Sequence, residues 1–342
     1  MPSAPTPDVS AIKTKLADAM NAGPASAAGS ASASSAKAAS APSAPPAIGV
    51  QTRPNGHQYH PRALGHVEDL AFLRDCRDHG ENVILTGEPG TGKSAMAEAA
   101  FVMDAVPGVH HGIETLVGTA DTTAADFLGT FVQDPDNANA FLWVDGPLTR
   151  SVKLGIPFLV DEVALIDPRE LSVLYALMDG RGELLIPSNP KLAPIPVPKT
   201  WIAIGATNPN VPGAHMSEAL LSRFHHHIEV PTDWDLALDL GVPQELVLAV
   251  RNLEARKFPE AKAGSSGVMV PAVPTYEGFI PQMRDALAFT VTEDRFGRAF
   301  AISGLLRKCP PLDRAAFTAA LNTAFGGKFA PLTLGSQARK DR

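Results

Sequence analysis

The chain has 342 residues, 45% hydrophobic and 19% charged, enough apolar material for one or two domains with a real core. Its 29 Lys and Arg against 36 Asp and Glu leave a net charge of −7, which disfavours non-specific binding along a phosphate backbone and makes nucleic acid a poor partner. Two cysteines, Cys76 and Cys309, are too few for a disulfide framework or for a four-ligand zinc site on their own, and read as thiols of a reducing cytoplasm.

No apolar run approaches the ~20 residues that span a bilayer. The first residues lack the basic and Leu-rich regions of a signal peptide. The expected location is cytoplasmic, with no membrane partner. Val9, Ile12, Leu16 and Met20 share one face of a short helix over residues 9–22, which is either a frayed end or a tethered docking peptide. From Gly23 to Ala47 every residue except Lys37 is Ala, Ser, Pro or Gly, a composition that buries too little apolar surface to fold. Residues 1–58 are therefore expected to be a disordered segment, with folded structure beginning near Tyr59.

Val67–His79 reads as a helix stopped by Gly80, Val83–Thr86 as an apolar strand, and Lys93–Met103 as the helix after it. A second strand is expected around Val109–Ile113 and a third at Pro157–Val160. Asp167 reads as a helix cap, with Pro168 at the first helical position and Glu170 three residues on; that helix closes at Asp179-Gly180. Trp201–Ala206 is another apolar strand. Strands apolar throughout, alternating with helices, predict an α/β fold with a parallel sheet covered on both faces. After Pro231 the strand signals stop, and Pro243–Phe258, Pro281–Ala288, Asp294–Lys308 and Leu312–Ala324 read as helices. The expected organisation is an α/β domain over residues 59–231, a small helical domain over 232–328 and a tail over 329–342.

Gly87-Glu88-Pro89-Gly90-Thr91-Gly92-Lys93-Ser94 fits G-x-x-x-x-G-K-[ST] and stands where that motif must, between an apolar strand and a helix. Glycines let backbone N–H groups wrap phosphates, and the helix N-terminus favours the anion. Lys93 is expected to reach the β/γ-phosphates of ATP, and the Ser94 hydroxyl to bind Mg²⁺. Phe158-Leu159-Val160-Asp161-Glu162 is a buried strand ending in two carboxylates, at the sheet edge where ligands sit. Asp161 is expected to hold Mg²⁺ through water, and Glu162 to orient and deprotonate the attacking water. Asn208, at the tip of the Trp201–Ala206 strand, is placed to touch the γ-phosphate or the water. Arg223, at the end of a short helix, is a candidate for a cation that completes the site in trans. His225-His226-His227 reads as the strand after Arg223, at a surface or subunit interface, in preference to zinc, and His110-His111 is read the same way. Met96, Phe101 and Met103, at helical spacing, read as core.

In this order the P-loop, the Asp-Glu pair, Asn208 and Arg223 before Phe224 resemble the AAA+ superfamily. Gly118-Thr119-Ala120-Asp121, Leu128-Gly129-Thr130 and Gly146-Pro147-Leu148 resemble its MoxR branch. Tyr59-His60-Pro61-Arg62, Ala299-Phe300-Ala301 and Leu306-Arg307-Lys308-Cys309 are similar to the ATPase subunit of cobaltochelatase. The resemblance covers roughly residues 59–325. It implies a P-loop NTPase sheet with a helical lid, ATP and Mg²⁺ as cofactors, and a ring, usually a hexamer, in which Arg223 acts on a neighbouring subunit. It implies a hairpin insertion over Thr130–Asp145, a second hairpin over Glu183–Pro198 made irregular by its prolines, and a lid arginine at the phosphates, for which Arg284 is the candidate and Arg298 the runner-up.

The function expected is ATP hydrolysis that remodels a client or partner protein, such as one with a von Willebrand A-type domain; metal insertion into a tetrapyrrole is a sub-case. The alternatives are a motor acting on nucleic acid or in a phage or mobile-element assembly, and a non-hydrolysing, nucleotide-gated scaffold.

Overall fold

The computed structural model describes residues 44–137, 139–208, 216–259, 262–263, 269–270 and 273–333. The helix expected over residues 9–22 lies outside them. Among the described residues, no helix is long and apolar enough to cross a membrane.

A five-stranded sheet organises the α/β part. Its strands are β1 (Val83–Thr86), β2 (Glu114–Val117), β3 (Phe158–Asp161), β4 (Ala203–Thr207) and β5 (His226–Glu229), in the spatial order β5-β1-β4-β3-β2. All neighbours run parallel. Pairings such as Thr86 with Thr207 and Val117 with Asp161 bring the strand ends that carry polar residues to one edge. Side chains alternate across the sheet. Ile84, Phe158, Val160 and Ala203 enter one core, with Leu148, Val152 and Trp201. Val83, Leu85, Leu159 and Ile204 enter the other, with Leu70, Leu73 and Phe101. Both faces are covered at β1, β3 and β4, which is why these three carry no polar alternation, whereas the edge strands β2 and β5 alternate half-buried and exposed residues.

Helix α1 (Asp69–His79) starts two residues later than the sequence implies, because Val67–Glu68 pairs antiparallel with Ala63–Leu64. Helix α2 (Lys93–Phe101) passes into a tighter turn at Val102–Asp104. Met96 and Phe101 are buried as expected, but Met103 is 66% exposed, since the change of helix type rotates it off the core face. The second strand is not at Val109–Ile113. There the chain folds back, Val106 bridging His110, and it enters the sheet only at Glu114, opposite Phe158.

Helix α3 (Pro147–Leu154) covers one face of the sheet, and α4 (Ser172–Met178) begins well after the expected cap. Asp167 accepts from the Arg169 N–H at 2.8 Å. The Glu170 carboxylate is turned away to accept from the Ala124 N–H at 2.6 Å, at the start of the short helix Ala124–Leu128, so no capping box forms at Asp167. The insertion hairpin is present, Gly129–Gln133 pairing antiparallel with Phe141–Asp145. The second hairpin is reduced to Glu183–Leu184 with Ile195–Pro196, as its prolines require.

The helical part has its own core around Leu246, Val250, Ile302, Leu306, Phe317 and Leu321. It contains α5 (Gln244–Lys257), α6 (Met283–Phe296), α7 (Arg298–Lys308) and α8 (Arg314–Phe325). Helix α6 is continuous through residues that the sequence divides between two helices. Gln282 and Asp285 form a capping box at its start, and the break falls at Gly297, whose φ of 85 ends it. A further helix, Trp234–Asp239, is capped by Asp233, which accepts from the N–H groups of Asp235 and Leu236. Strand structure does not end at Pro231, since Lys262–Ala263 pairs with Met269–Val270.

The order of the chain extends beyond both expected limits. Gln51–Thr52 pairs with Gln58–Tyr59, and the Ile48 N–H donates to Glu68 at 2.9 Å, ahead of residue 59. Past residue 328 the Phe329 N–H donates to Asn322 and the Leu332 N–H to Ser303, each at 2.8 Å, which holds this stretch on the helical core.

Candidate nucleotide-binding site

The loop after β1 is held from two sides. The Gly87 N–H donates to the Thr207 carbonyl at the end of β4, at 3.2 Å. A Cβ on Gly87 would lie 2.4 Å from the Val230 carbonyl oxygen, so only glycine lets the loop pass the chain that leaves β5. Thr91 closes the loop by donating from both N–H and hydroxyl to the Glu88 carbonyl. Pro89 stands exposed at its crest, and Gly90 and Gly92 carry φ of 90 and 97. Gly92 is the N-cap of α2 and brings no side-chain cap, so its first turn presents uncapped N–H groups.

Lys93 is 6% exposed, and its Nζ donates to the carbonyls of Gly87 at 2.8 Å and Glu88 at 3.0 Å. Burial lowers its pKa, while the charges of Glu162, Asp161 and Glu88 oppose that shift. A buried ammonium tied only to carbonyl oxygens is poised to gain from an anion in the loop.

Ser94, in the first turn of α2, donates its hydroxyl to Asp161 Oδ2 at 2.5 Å. The other Asp161 oxygen accepts from the Glu162 N–H at 3.0 Å. Glu162 has φ 53 and ψ 40, and it is the non-glycine residue with positive φ among those described. The left-handed turn takes the chain sharply out of β3 and sets Glu162 beside Asp161. Hydroxyl and carboxylate oxygens converging beside a phosphate loop are a donor set suited to Mg²⁺, a hard cation that prefers oxygen.

Asn208 follows β4 directly and is 5% exposed. Because β4 lies between β1 and β3, Asn208 stands between the strand of the P-loop and that of Asp161. From the lid, the Arg284 N–H donates to the Gly90 carbonyl at 3.3 Å, and Arg284 Nε would be 3.8 Å from a Cβ at Gly90. Loop and lid residues, Glu88 and Thr91 facing Gln282 and Arg284, line a cleft of about 960 Å³. Arg298 is engaged elsewhere, paired with Glu293 and stacked over Phe325 in the helical part.

Arg223 is not at this edge of the sheet. Its carbonyl accepts from the side chain of Asn82, the residue before β1, which fixes it at the opposite end. Its Nη2 donates to Asp179 Oδ2 at 2.9 Å, its Nε lies at ion-pair distance, 2.8 Å, from Asp179 Oδ1, and the guanidinium is 4.4 Å from the Tyr175 ring centre. The Asp179 hydrogen bond raises its pKa further.

Sequence reasoning gave no role to Arg62. Its Nη1 donates to the Thr91 carbonyl in the P-loop and to the Pro231 carbonyl after β5, each at 3.2 Å, and its Nη2 donates to the Tyr59 hydroxyl at 2.9 Å. Tyr59 in turn donates to Asp69 at 2.6 Å, and burial raises its pKa. The Tyr59-His60-Pro61-Arg62 stretch was visible, but a contact between residues 62 and 91 has no local signal.

Residues 82–224 match the AAA domain of the dynein-related subfamily. The chain is 31% identical to midasin of Giardia intestinalis over 145 residues, which is 42% of this chain and 3% of that protein. It is 28% identical over 168 residues to an uncharacterized protein of Staphylococcus aureus strain USA300, covering 47% of this chain and 62% of that one. The chain thus spans less than two thirds of the length of either relative. A solved structure of a candidate ATPase from Cytophaga hutchinsonii aligns over 72% of this chain and 77% of its own, at 18% identity and a TM-score of 0.39. The AAA-domain match over residues 82–224 takes in the glycine-rich loop, the strand-end carboxylate pair and four of the five parallel strands, β5 lying just beyond it.

Proposed function

We propose that the chain hydrolyses ATP with Mg²⁺ and works as an AAA+ motor of the MoxR type, remodelling or activating a partner protein. The observation that carries this reading is the 2.5 Å approach of Ser94 Oγ to Asp161 Oδ2, with Glu162 next in sequence and Gly92, the last glycine of the loop, two residues before Ser94. Mg²⁺, when bound, supplies neutralisation of the phosphate oxygens. Ser94 and Asp161 hold it, and Lys93 exchanges its two carbonyl partners for phosphate oxygens. Glu162 takes a proton from the attacking water. Asn208, between the two strands, orients that water or the γ-phosphate. Arg284 brings the lid onto the loop that holds the phosphates.

Arg223 sits at the far end of the sheet from its own P-loop, which favours action on a neighbouring subunit and hence a ring. The exposed apolar side chains of the insertion hairpin, Phe131, Phe141 and Leu142, favour a protein client over a soluble small substrate. A partner with a von Willebrand A-type domain follows from the resemblance to the MoxR branch.

The test is Mg²⁺-dependent phosphate release by the full chain, alongside Glu162→Gln. Turnover by wild type and a drop of about two or more orders of magnitude in the variant, with ATP still bound, is expected. Absence of turnover in a wild-type protein that binds ATP would turn the reading to a nucleotide-gated scaffold.

A further inference from the structure

Helix α1 ends in a motif that usually carries an apolar contact. Gly80, at φ 72, donates its N–H to the Arg77 carbonyl, and the Glu81 N–H donates to the Cys76 carbonyl at 2.8 Å. This is a Schellman ending, in which the side chains of the two outermost residues commonly meet as a hydrophobic pair. Here they are Cys76 and Glu81, a thiol and a carboxylate. A third donor comes from the edge strand β5. His226 Nε2 lies 2.7 Å from Glu81 Oε2, and its ring meets Phe72 edge-on with centroids 5.2 Å apart. One donor atom each from Cys76, Glu81 and His226 lies within 4.8 Å of the other two.

We propose that Cys76, Glu81 and His226 form a binding site for a zinc ion, with solvent at the fourth position. Sulfur, imidazole nitrogen and carboxylate oxygen are the three ligand types zinc accepts, and three protein ligands with one open position is an established tetrahedral arrangement. Glu81 and His226 are partly exposed, giving the ion a way in, while Cys76 is 1% exposed and forms the floor. Binding replaces the Cys76 S–H by an S–Zn bond, the proton leaving to solvent. The hydrogen bond between His226 and Glu81 gives way to one bond from each to the metal. Phe72 and the Gly80 turn already fix His226 and Glu81, so little ordering is needed.

The site is separate from the nucleotide cleft. His226 pairs with Val83 at the start of β1, whereas the P-loop follows Thr86 at its end. That separation is about 10 Å along the strand. The ion would fasten the outermost strand, shortly after Arg223, to the helix that precedes β1.

The experiment uses the full chain, stripped with a chelator and titrated with Co²⁺ and then Zn²⁺. Co²⁺ should give a thiolate charge-transfer band in the near ultraviolet at one equivalent, which Zn²⁺ then bleaches. His226→Gln and Glu81→Gln should weaken Zn²⁺ binding about 10-fold or more, and Cys76→Ser should remove the band. If Cys76→Ser does not fold, the band in the two surface variants decides the matter: a band of unchanged intensity and midpoint in both overturns the site. No thiolate band in wild type, or one equivalent of Zn²⁺ bound equally by wild type and His226→Gln, overturns it too.

Discussion

Ser94 Oγ and Asp161 Oδ2 lie 2.5 Å apart although they belong to β1's helix and to β3, with β4 between those strands. Replacing Asp161 by Asn removes the charge and leaves one accepting oxygen where Ser94 and the Glu162 N–H now use two. ATP should still bind in the presence of a chelator, while the gain in affinity on adding Mg²⁺ and the turnover should both be largely lost. Calorimetry with and without Mg²⁺ measures this. Undiminished Mg²⁺ dependence would move the metal elsewhere.

Lys93→Ala should abolish measurable ATP binding by calorimetry, since the loop loses its positive charge. The carbonyls of Gly87 and Glu88 lose their shared donor at the same time. Circular dichroism should therefore accompany the titration, and a folded variant with wild-type affinity would refute the assignment of the loop.

Glu162 combines the proposed catalytic carboxylate with an unfavourable backbone conformation. Its left-handed backbone, φ 53, costs a side-chain-bearing residue about 1 kcal/mol. Glu162→Gly should relieve that strain and raise the melting temperature by about 2–4 °C, while turnover falls about 100-fold or more. Glu162→Gln should lose the same activity without the rise in stability. Equal melting temperatures for the two variants would mean that the turn stores no strain.

Arg223 is held on its own protomer by Asp179 and Tyr175. Arg223→Ala should bind ATP normally and hydrolyse it slowly, and wild-type ATPase should rise more than linearly with protein concentration. Arg223→Lys keeps the charge but not the planar guanidinium set against Asp179 and Tyr175, and should recover little. Mixing Arg223→Ala with Lys93→Ala should restore part of the activity, because a mixed ring sets an intact arginine beside an intact P-loop. A monomeric protein with full turnover, insensitive to Arg223→Ala, would exclude action in trans.

Removing residues 1–48 takes away Ile48, whose N–H donates to Glu68 and whose side chain packs on the core with Leu70 and Leu73. The expected loss is about 1–2 kcal/mol, a few degrees in melting temperature, with the ATPase rate unchanged. A cut at residue 43 should spare that contact and both measurements.

Local signals account for most of the candidate nucleotide site. The P-loop, the Asp161-Glu162 pair and the apolar strands are short contiguous patterns, each decided by backbone conformation and periodicity within a few residues. In the structure the loop from Gly87 follows the end of β1, Lys93 and Ser94 open α2, and Asp161 ends β3. Element boundaries were less legible where a remote partner decides them. Glu170 left Asp167 for Ala124, and Val67–Glu68 became half of a strand pair. The choice of Arg284 over Arg298 rested on resemblance in the sequence. In the structure it rests on the Arg284 N–H meeting the Gly90 carbonyl.

Only the tertiary structure could join Arg62 to Thr91, hold Arg223 at the far end of the sheet through Asn82, or bring Cys76 and Glu81 to His226. From the sequence the histidine run reads as the strand after Arg223, at a surface or subunit interface, in preference to zinc. Strand order brings Cys76, Glu81 and His226 together: β5 pairs with β1, and α1 packs beside β1 in the same core. Periodicity and motif spacing report which side chains share a face. Which face meets which depends on the path of the whole chain, because contacts between distant residues are selected by the packing of complete elements rather than by anything written beside either partner.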